Sequence, residues 1–325
     1  MTSIAIIGAG LAGITLARAL APHARITLFE KARGLGGRMS TRRDDARQWD
    51  HGAQFFTART PAFREWLAPF IADGTVAQWH PRITTLSPDR PPYPRPWFEP
   101  HYVAVPAMNA LVKGLARGLD IRLQTRVAEL ERRPAGWRLW DEHGSHLGDY
   151  DWVVSAAPLP QARALLPLPD RIFDGFAMQP CYALLLAVDD GSLPGWDAAV
   201  VREAPVRWIA CNHRLPGRNR RAGALVVHST PEWAAERLED DQAEVQAQLL
   251  EVFCTLTGVA PTAITGARLH RWRYALSAEV KQPAPGFLLD PQARLAACGD
   301  WCLGGRVEAA FTSGLALAGA LARRL

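Results

Sequence analysis

Lysine is almost missing from this chain. Three lysines (Lys31, Lys113 and Lys281) stand against thirty-four arginines in 325 residues, so a net charge of +5 rests almost wholly on guanidinium groups. No long run of like charge accompanies that bias, so no nucleic-acid groove is expected. Cysteine is scarce as well. Cys181, Cys211, Cys254, Cys298 and Cys302 form no CxxC pair and no metal-ligand spacing. Neither a disulfide framework nor a metal centre is expected, and free buried thiols suit a reducing, cytoplasmic compartment. No stretch reaches the ~20 apolar residues of a membrane span without a glycine or a charge, so no membrane partner is expected. The apolar N-terminus has no basic n-region of a signal peptide. HExxH and an ordered Ser/His/Asp set are also missing, which removes the usual marks of hydrolysis.

What is there is an ordinary globular composition, 48% apolar and 21% charged, in a length that suits two domains or one core with a large insertion. "SIAIIGAGLAGITLARAL" reads as a buried strand at residues 3–7, a glycine turn, and a helix to about Leu20. A second strand, "ARITLFEK", leads to Glu30. Residues 34–60 read as irregular, and residues 61–71 as a helix. A proline-rich segment with short extended runs follows over 73–105. Pro106 then opens an expected helix to about Leu119. A β-meander and a buried strand, residues 152–155, come next. Residues 159–290 read as proline-punctuated strands with one helix over 231–257. A strand, a glycine loop and a small-residue helix end the chain.

Gly8, Gly10 and Gly13 form GxGxxG between a strand and a helix. Gly8 allows the tight turn, Gly10 lets the backbone approach a pyrophosphate, and Gly13 lets helix and sheet pack closely. The amides of Leu11, Ala12 and Gly13 and the positive end of the helix dipole then face the phosphates. Glu30 lies 22 residues after Gly8, where an acceptor for ribose hydroxyls belongs, with Lys31 beside it. The segment "KARGLGGRMS" is unnecessary for a plain NAD dehydrogenase. It suits an extended FAD, with Gly37 crossing close to the ribose and pyrophosphate and Arg38 bonding the phosphates.

Together these residues resemble the glutathione-reductase-like FAD superfamily in its amine-oxidase branch. "WDHGAQFFTAR" (49–59), "YVAVPAMNALVKGL" (102–115) and "ACGDWCLGGRVEAAFTSGLALAGAL" (297–321) match further motifs of that branch. "RWRYALS" (271–277) and the compact length resemble the renalase family of bacterial FAD oxidoreductases. The resemblance implies an α/β fold like that of p-hydroxybenzoate hydroxylase: an FAD-binding Rossmann-like domain with an inserted mixed-sheet substrate domain. The expected FAD domain is residues 1–60, 102–158 and 291–325, and the substrate domain 61–101 and 159–290.

The resemblance also assigns roles. Val127 would bond the adenine through its backbone, and Asp300 would meet the ribitol or pyrophosphate. Val307, Glu308 and Ala309 would aim amides at flavin N1 and O2, where a helix N-terminus favours negative charge. The FAD is expected to be non-covalent. Gln54 would bond the flavin ring or substrate, His51 is a candidate proton relay, and Trp272 and Tyr274 would line the substrate pocket. The implied reaction oxidises misreduced nicotinamide dinucleotides, the 2- or 6-dihydro isomers of NAD(P), by hydride transfer to flavin N5. O2 then takes the electrons, giving NAD(P)+ and H2O2, a repair reaction. The alternatives are a flavin amine oxidase and a flavin-binding module without turnover. Amine oxidases of this branch usually hold a water near N5 with a lysine, and here only Lys281 lies in the C-terminal part. "RWIACNHRLPGRNRR" (207–221), with five arginines and no acid, reads as a cationic rim that would attract a dinucleotide's phosphates.

Overall fold

The computed structural model describes residues 1–278 and 286–325, with Asp190 described by its backbone alone. The chain forms two compact units, each built from separated segments. The first comprises residues 1–38, 112–178 and 276–325; the second comprises 39–111 and 179–275. These bounds differ from the expected domains: residues 39–60 and 102–111 fall with the second unit, and 159–178 and 276–290 with the first. Strand and helix patterns mark elements, whereas a unit boundary depends on which elements share a core.

The first unit holds a six-stranded sheet in the order Phe287–Asp290, Leu295–Cys298, Trp152–Ser155, Ser3–Ile7, Arg25–Phe29 and Asp120–Arg122. The inner pairings are parallel, and only the Phe287–Asp290 edge runs antiparallel to its neighbour. All five residues of Ser3–Ile7 are buried, as a central parallel strand covered on both faces requires. The helix Leu11–Leu20 leaves that strand directly through the glycine turn. The C-terminal helix Val307–Ala322 packs on it so closely that a Cβ on Gly314 would lie 2.4 Å from the Ala12 carbonyl oxygen. A three-stranded antiparallel meander, Val127–Arg133, Gly136–Asp141 and His146–Tyr150, completes this unit.

The second unit is built on a seven-stranded sheet in the order Ile264–Ser277, Met178–Val188, Ala224–Ser229, Val206–Cys211, Ala198–Val201, Ile83–Ser87 and Arg90–Pro94. The proline-rich Arg90–Pro94 takes the edge, where a strand without donors is tolerated. One face of the sheet packs on the helix Gln242–Thr257 through Val245, Leu249 and Phe253, a four-residue spacing that keeps all three on one side.

Three expected elements differ. The helix expected over 231–257 is two, Pro231–Glu236 and Gln242–Thr257, because the Asp241 carboxylate caps the second by accepting from Ala243 and Glu244 amides. The helix expected from Pro106 begins only at Asn109. The Met108 amide donates to Asp50 and the Pro106 carbonyl accepts from Gln48, so tertiary bonds hold that turn open. Residues 34–60 are not wholly irregular, since Thr41–Arg43 and Gln48–Asp50 pair as a two-stranded ribbon.

Candidate functional site

In the first unit the glycine turn is fixed by backbone geometry. Gly8 has φ +110, its amide donates to the Phe29 carbonyl at 2.8 Å, and an added Cβ would press on the Ala156 backbone at 3.1 Å. A Cβ on Gly13 would lie 2.1 Å from the Gly8 carbonyl oxygen, so only glycine fits where helix meets turn. Gly10 is different. A Cβ there would meet no protein atom within 4 Å, so its missing side chain leaves room beyond the backbone rather than within the protein. Gly10 caps the helix without a side-chain hydrogen bond, and no acidic residue stands in the first turn that holds Leu11, Ala12 and Gly13. Donors without a competing acid, next to open space, are the chemistry a pyrophosphate needs. These residues fit a dinucleotide cofactor.

Glu30 is buried and spends both oxygens on this turn. Its carboxylate accepts from the Ala9 amide at 2.9 Å and the Ala32 amide at 2.8 Å, tying the glycine loop to the segment after the second strand. The Gly36 amide donates back to the Ala9 carbonyl, and Gly37, at φ +53, passes with its Cβ position 3.6 Å from the Gly10 Cα. The Thr125 amide donates to the Glu30 carbonyl, which brings buried Val127 to the same end of the sheet. Lys31 is exposed.

Arg38 and Asp300 have a partner that sequence reasoning missed: each other. The guanidinium donates to both carboxylate oxygens, through Nη1 at 2.9 Å and through Nη2, and the Ser277 hydroxyl adds a third bond. The two residues expected at the phosphates and the ribitol thus form a bidentate pair at this end of the unit. Just beyond it, Gly304, Gly305 and Arg306 all take positive φ, and Arg306 at +87 is strained for a residue with a Cβ. That turn launches the helix whose first residues are Val307, buried Glu308 and buried Ala309. Burial pushes the Cys298 thiol up to about 12 and the Cys302 thiol well above its usual value, so both are held as neutral thiols.

The second unit gathers a different group. His51 is buried and stacks on Trp272 with ring centroids 5.1 Å apart, while His270 meets it edge-on at 4.8 Å. The His51 carbonyl accepts from Trp272 Nε1 at 2.9 Å and from His228 Nε2 at 3.1 Å. Burial, reinforced by His270 and Arg42, lowers the His51 pKa to about 3. Burial also brings His228 and His270 to about 4. All three rings are therefore neutral near pH 7. His51 Nδ1 is buried without a partner, and Ser40 Oγ lies 3.4 Å from Nε2. Tyr274 shares the strand face of His270 and Trp272 through two-residue alternation. Ser40, Arg42, His228 and His270 were missed by sequence reasoning. Only His270 carried a signal, the alternation His270, Trp272, Tyr274.

Gln54 is corrected. Its amide nitrogen donates to the carbonyls of Asp50 and Gly52, and its oxygen accepts from Asn212 Nδ2 at 3.0 Å, so this buried side chain braces the loop. Asp50 is braced in turn. Its carboxylate accepts from Arg218 Nη2 at 2.6 Å, Thr41 Oγ1 and the Met108 amide, and the Arg218–Asp50 pair is fully buried. Arg218 therefore does not belong to the expected cationic rim. Arg214 is also largely withdrawn, bonding the Trp196 carbonyl and lying 3.7 Å from Asp197. Arg220 and Arg221 are exposed. Lys281 lies outside the described residues. Among the described residues no cluster of His, Cys, Asp and Glu could hold a metal ion, and no helix is long and apolar enough to cross a membrane.

A parallel nucleotide sheet with a glycine turn, an acid after its second strand and an inserted mixed-sheet unit define an FAD-dependent oxidoreductase. Residues 6–70 match the NAD(P)-binding Rossmann-like domain. Residues 98–322, more than half of the chain, match the flavin-containing amine oxidoreductase family, and the chain belongs to that family. The fold is similar to that of a protein from Exiguobacterium sp. 255-15 assigned as a protoporphyrinogen oxidase, at 14% identity and a TM-score of 0.80, covering 100% of this chain and 99% of that one. It is also similar to wild-type putrescine oxidase bound to putrescine, at 12% identity and a TM-score of 0.71, covering 99% of each chain.

Proposed function

We propose that this flavoenzyme oxidises dihydro isomers of NAD(P), the 2- or 6-dihydro forms, to NAD(P)+. The observation that carries the reading is the ring-lined face around His51. The side chains gathered on His51 are Trp272, His270, Ser40 and His228, with Arg42 bonded to His270, and none of these is a carboxylate. A protonated amine would find no counter-ion there. A neutral, planar dihydronicotinamide would find an indole and three neutral imidazoles.

Bound FAD supplies the two-electron acceptor. The glycine turn and the two helix N-termini would hold its anionic parts, and Glu30 keeps the turn in shape. Trp272, the less buried partner of the stack with His51, offers a flat surface that orients the substrate ring and excludes water. Gln54, Asn212, Asp50 and Arg218 hold the His51 loop in place. Overall, the substrate's hydride and one proton from solvent reach O2 as H2O2, leaving NAD(P)+.

The test is anaerobic titration of the oxidised holoprotein with 2- and 6-dihydro-NAD(P) and, in parallel, with primary and secondary amines. Bleaching of the flavin band by the dihydro isomers supports the reading. Bleaching by amines alone overturns it in favour of amine oxidation, the chemistry that the family and the putrescine oxidase likeness make the alternative.

A further inference from the structure

The second unit carries a cavity of about 1050 Å³ that nothing above uses. Its wall is largely the proline-rich segment 78–101, with Gly195 and Trp196. Pro92, Pro94 and Pro96 cannot donate to a neighbouring strand, so this chain stays at the sheet edge with a concave side.

Two polar groups in the wall lack partners. His101 is 2% exposed, with Trp97 at 4.0 Å and Phe55 at 4.4 Å between ring centroids. One ring nitrogen bonds the Glu99 backbone and Nε2 bonds nothing, so Nδ1 carries the proton and Nε2 keeps a free lone pair. Arg95 has a buried Nε without a partner. Its neighbours are spent, Arg82 on Asp197 at 3.1 Å and Arg59 on Glu99 at 2.7 Å. The wall therefore offers a cation, a buried acceptor and flat apolar surfaces, including Phe98 at 92% exposure.

Ring contacts, one strand pairing and one hydrogen bond link this cavity to His51 inside the same unit. Phe55 touches Trp97, His101 and Trp208; Trp208 pairs in register with His228 on the adjacent strand; and His228 donates to the His51 carbonyl. We infer that the cavity holds the adenosine-phosphate half of the dinucleotide, with the base against Trp97 and Phe98, a phosphate on Arg95, and an amino or hydroxyl hydrogen given to His101 Nε2. This rests on the dinucleotide reading above and adds a seat for the half of the substrate that does not react. Binding energy from that remote half holds the reacting ring in place.

The test uses 5′-AMP as probe against the FAD-loaded protein, so that the cofactor site is already filled. Saturable tryptophan quenching and a calorimetric isotherm are expected, with adenosine binding about tenfold more weakly for want of the charged hydrogen bond. Arg95→Gln should raise the Kd for AMP about tenfold and abolish its preference over adenosine. Phe98→Ala, at a side chain too exposed to matter for folding, should weaken AMP and adenosine alike. AMP should compete with the dihydro dinucleotide but not with dihydronicotinamide mononucleotide. If AMP does not bind, or Arg95→Gln binds it as wild type does, the cavity assignment is overturned even where dihydro-NAD isomers are oxidised. If AMP binds through Arg95 while only amines bleach the flavin, the dinucleotide reading falls and the cavity stands as an adenine-nucleotide site.

Discussion

Glu30 holds two backbone amides at once, which makes its charge part of the shape of the nucleotide turn. Glu30→Gln places an NH2 against one of those N–H groups. A cost of about 1–3 kcal/mol is expected, since a buried donor loses its acceptor. FAD should dissociate measurably faster and the melting temperature should fall; wild-type FAD retention would show that the two bonds carry nothing. Gly10→Val tests a different quantity. It fills space that only a ligand would occupy. The variant should fold with a nearly unchanged melting temperature as apoprotein, yet purify without yellow colour. Arg218 and Asp50 are both fully buried, and removing one partner of such a pair typically costs about 3–5 kcal/mol. Arg218→Gln is therefore expected to lower the melting temperature sharply, and a shift under one degree would contradict the burial of that pair.

At the scale of elements, the helices Leu11–Leu20 and Val307–Ala322 depend on one missing side chain. A methyl group on Gly314 would meet the Ala12 carbonyl at 2.4 Å, backbone that cannot swing aside. Gly314→Ala is expected to push the helices apart, lowering both thermal stability and FAD content. Gly319→Ala, in the same helix, would meet only the tip of Arg323 at 3.8 Å and should be neutral or slightly stabilising, because alanine favours helix. Comparing melting curves of the two variants checks the claim; equal effects would mean that helix propensity, not the crossing, decides.

For the whole molecule, pH dependence follows from the buried imidazoles. His51 titrates near 3 and His101, His228 and His270 near 4, against about 6.5 in an unfolded chain. The unfolded chain therefore binds protons first as pH falls. Stability contributed by these neutral rings is complete above about 6.5 and is lost progressively towards pH 4. The melting temperature should be nearly flat from pH 7 to 8 and decline between about 6.5 and 4.5, before most carboxylates titrate. His228→Asn should reduce that slope. Charge also acts at long range. With a net charge of +5, and Arg220 and Arg221 exposed, kcat/KM for a dihydro dinucleotide should fall as salt rises. Changing both arginines to glutamine should flatten that dependence, and a full salt slope in the double variant would remove this loop from substrate capture.

Much of the nucleotide turn was legible because its parts lie within about thirty residues and each obeys a local rule. Glycines appear where φ is positive or where helix and strand touch, and an acid ends the second strand. Apolar runs between glycine turns likewise marked Ser3–Ile7, Leu11–Leu20 and the C-terminal helix, because elements covered on nearly every side need apolar residues nearly throughout. The ring-lined group could not be read that way. His51, His228 and His270 stand on three segments of the chain, and only the order of the seven-stranded sheet and the fold of the 49–54 loop bring them together. The same holds for charge. The sequence shows five arginines between 207 and 221, but burial and a carboxylate 168 residues away decide that Arg218 braces Asp50 instead of facing solvent. Local sequence determines which backbone conformations and elements form. Partner choice for a charged or aromatic side chain is a long-range competition between desolvation and contact, and only the tertiary structure decides it.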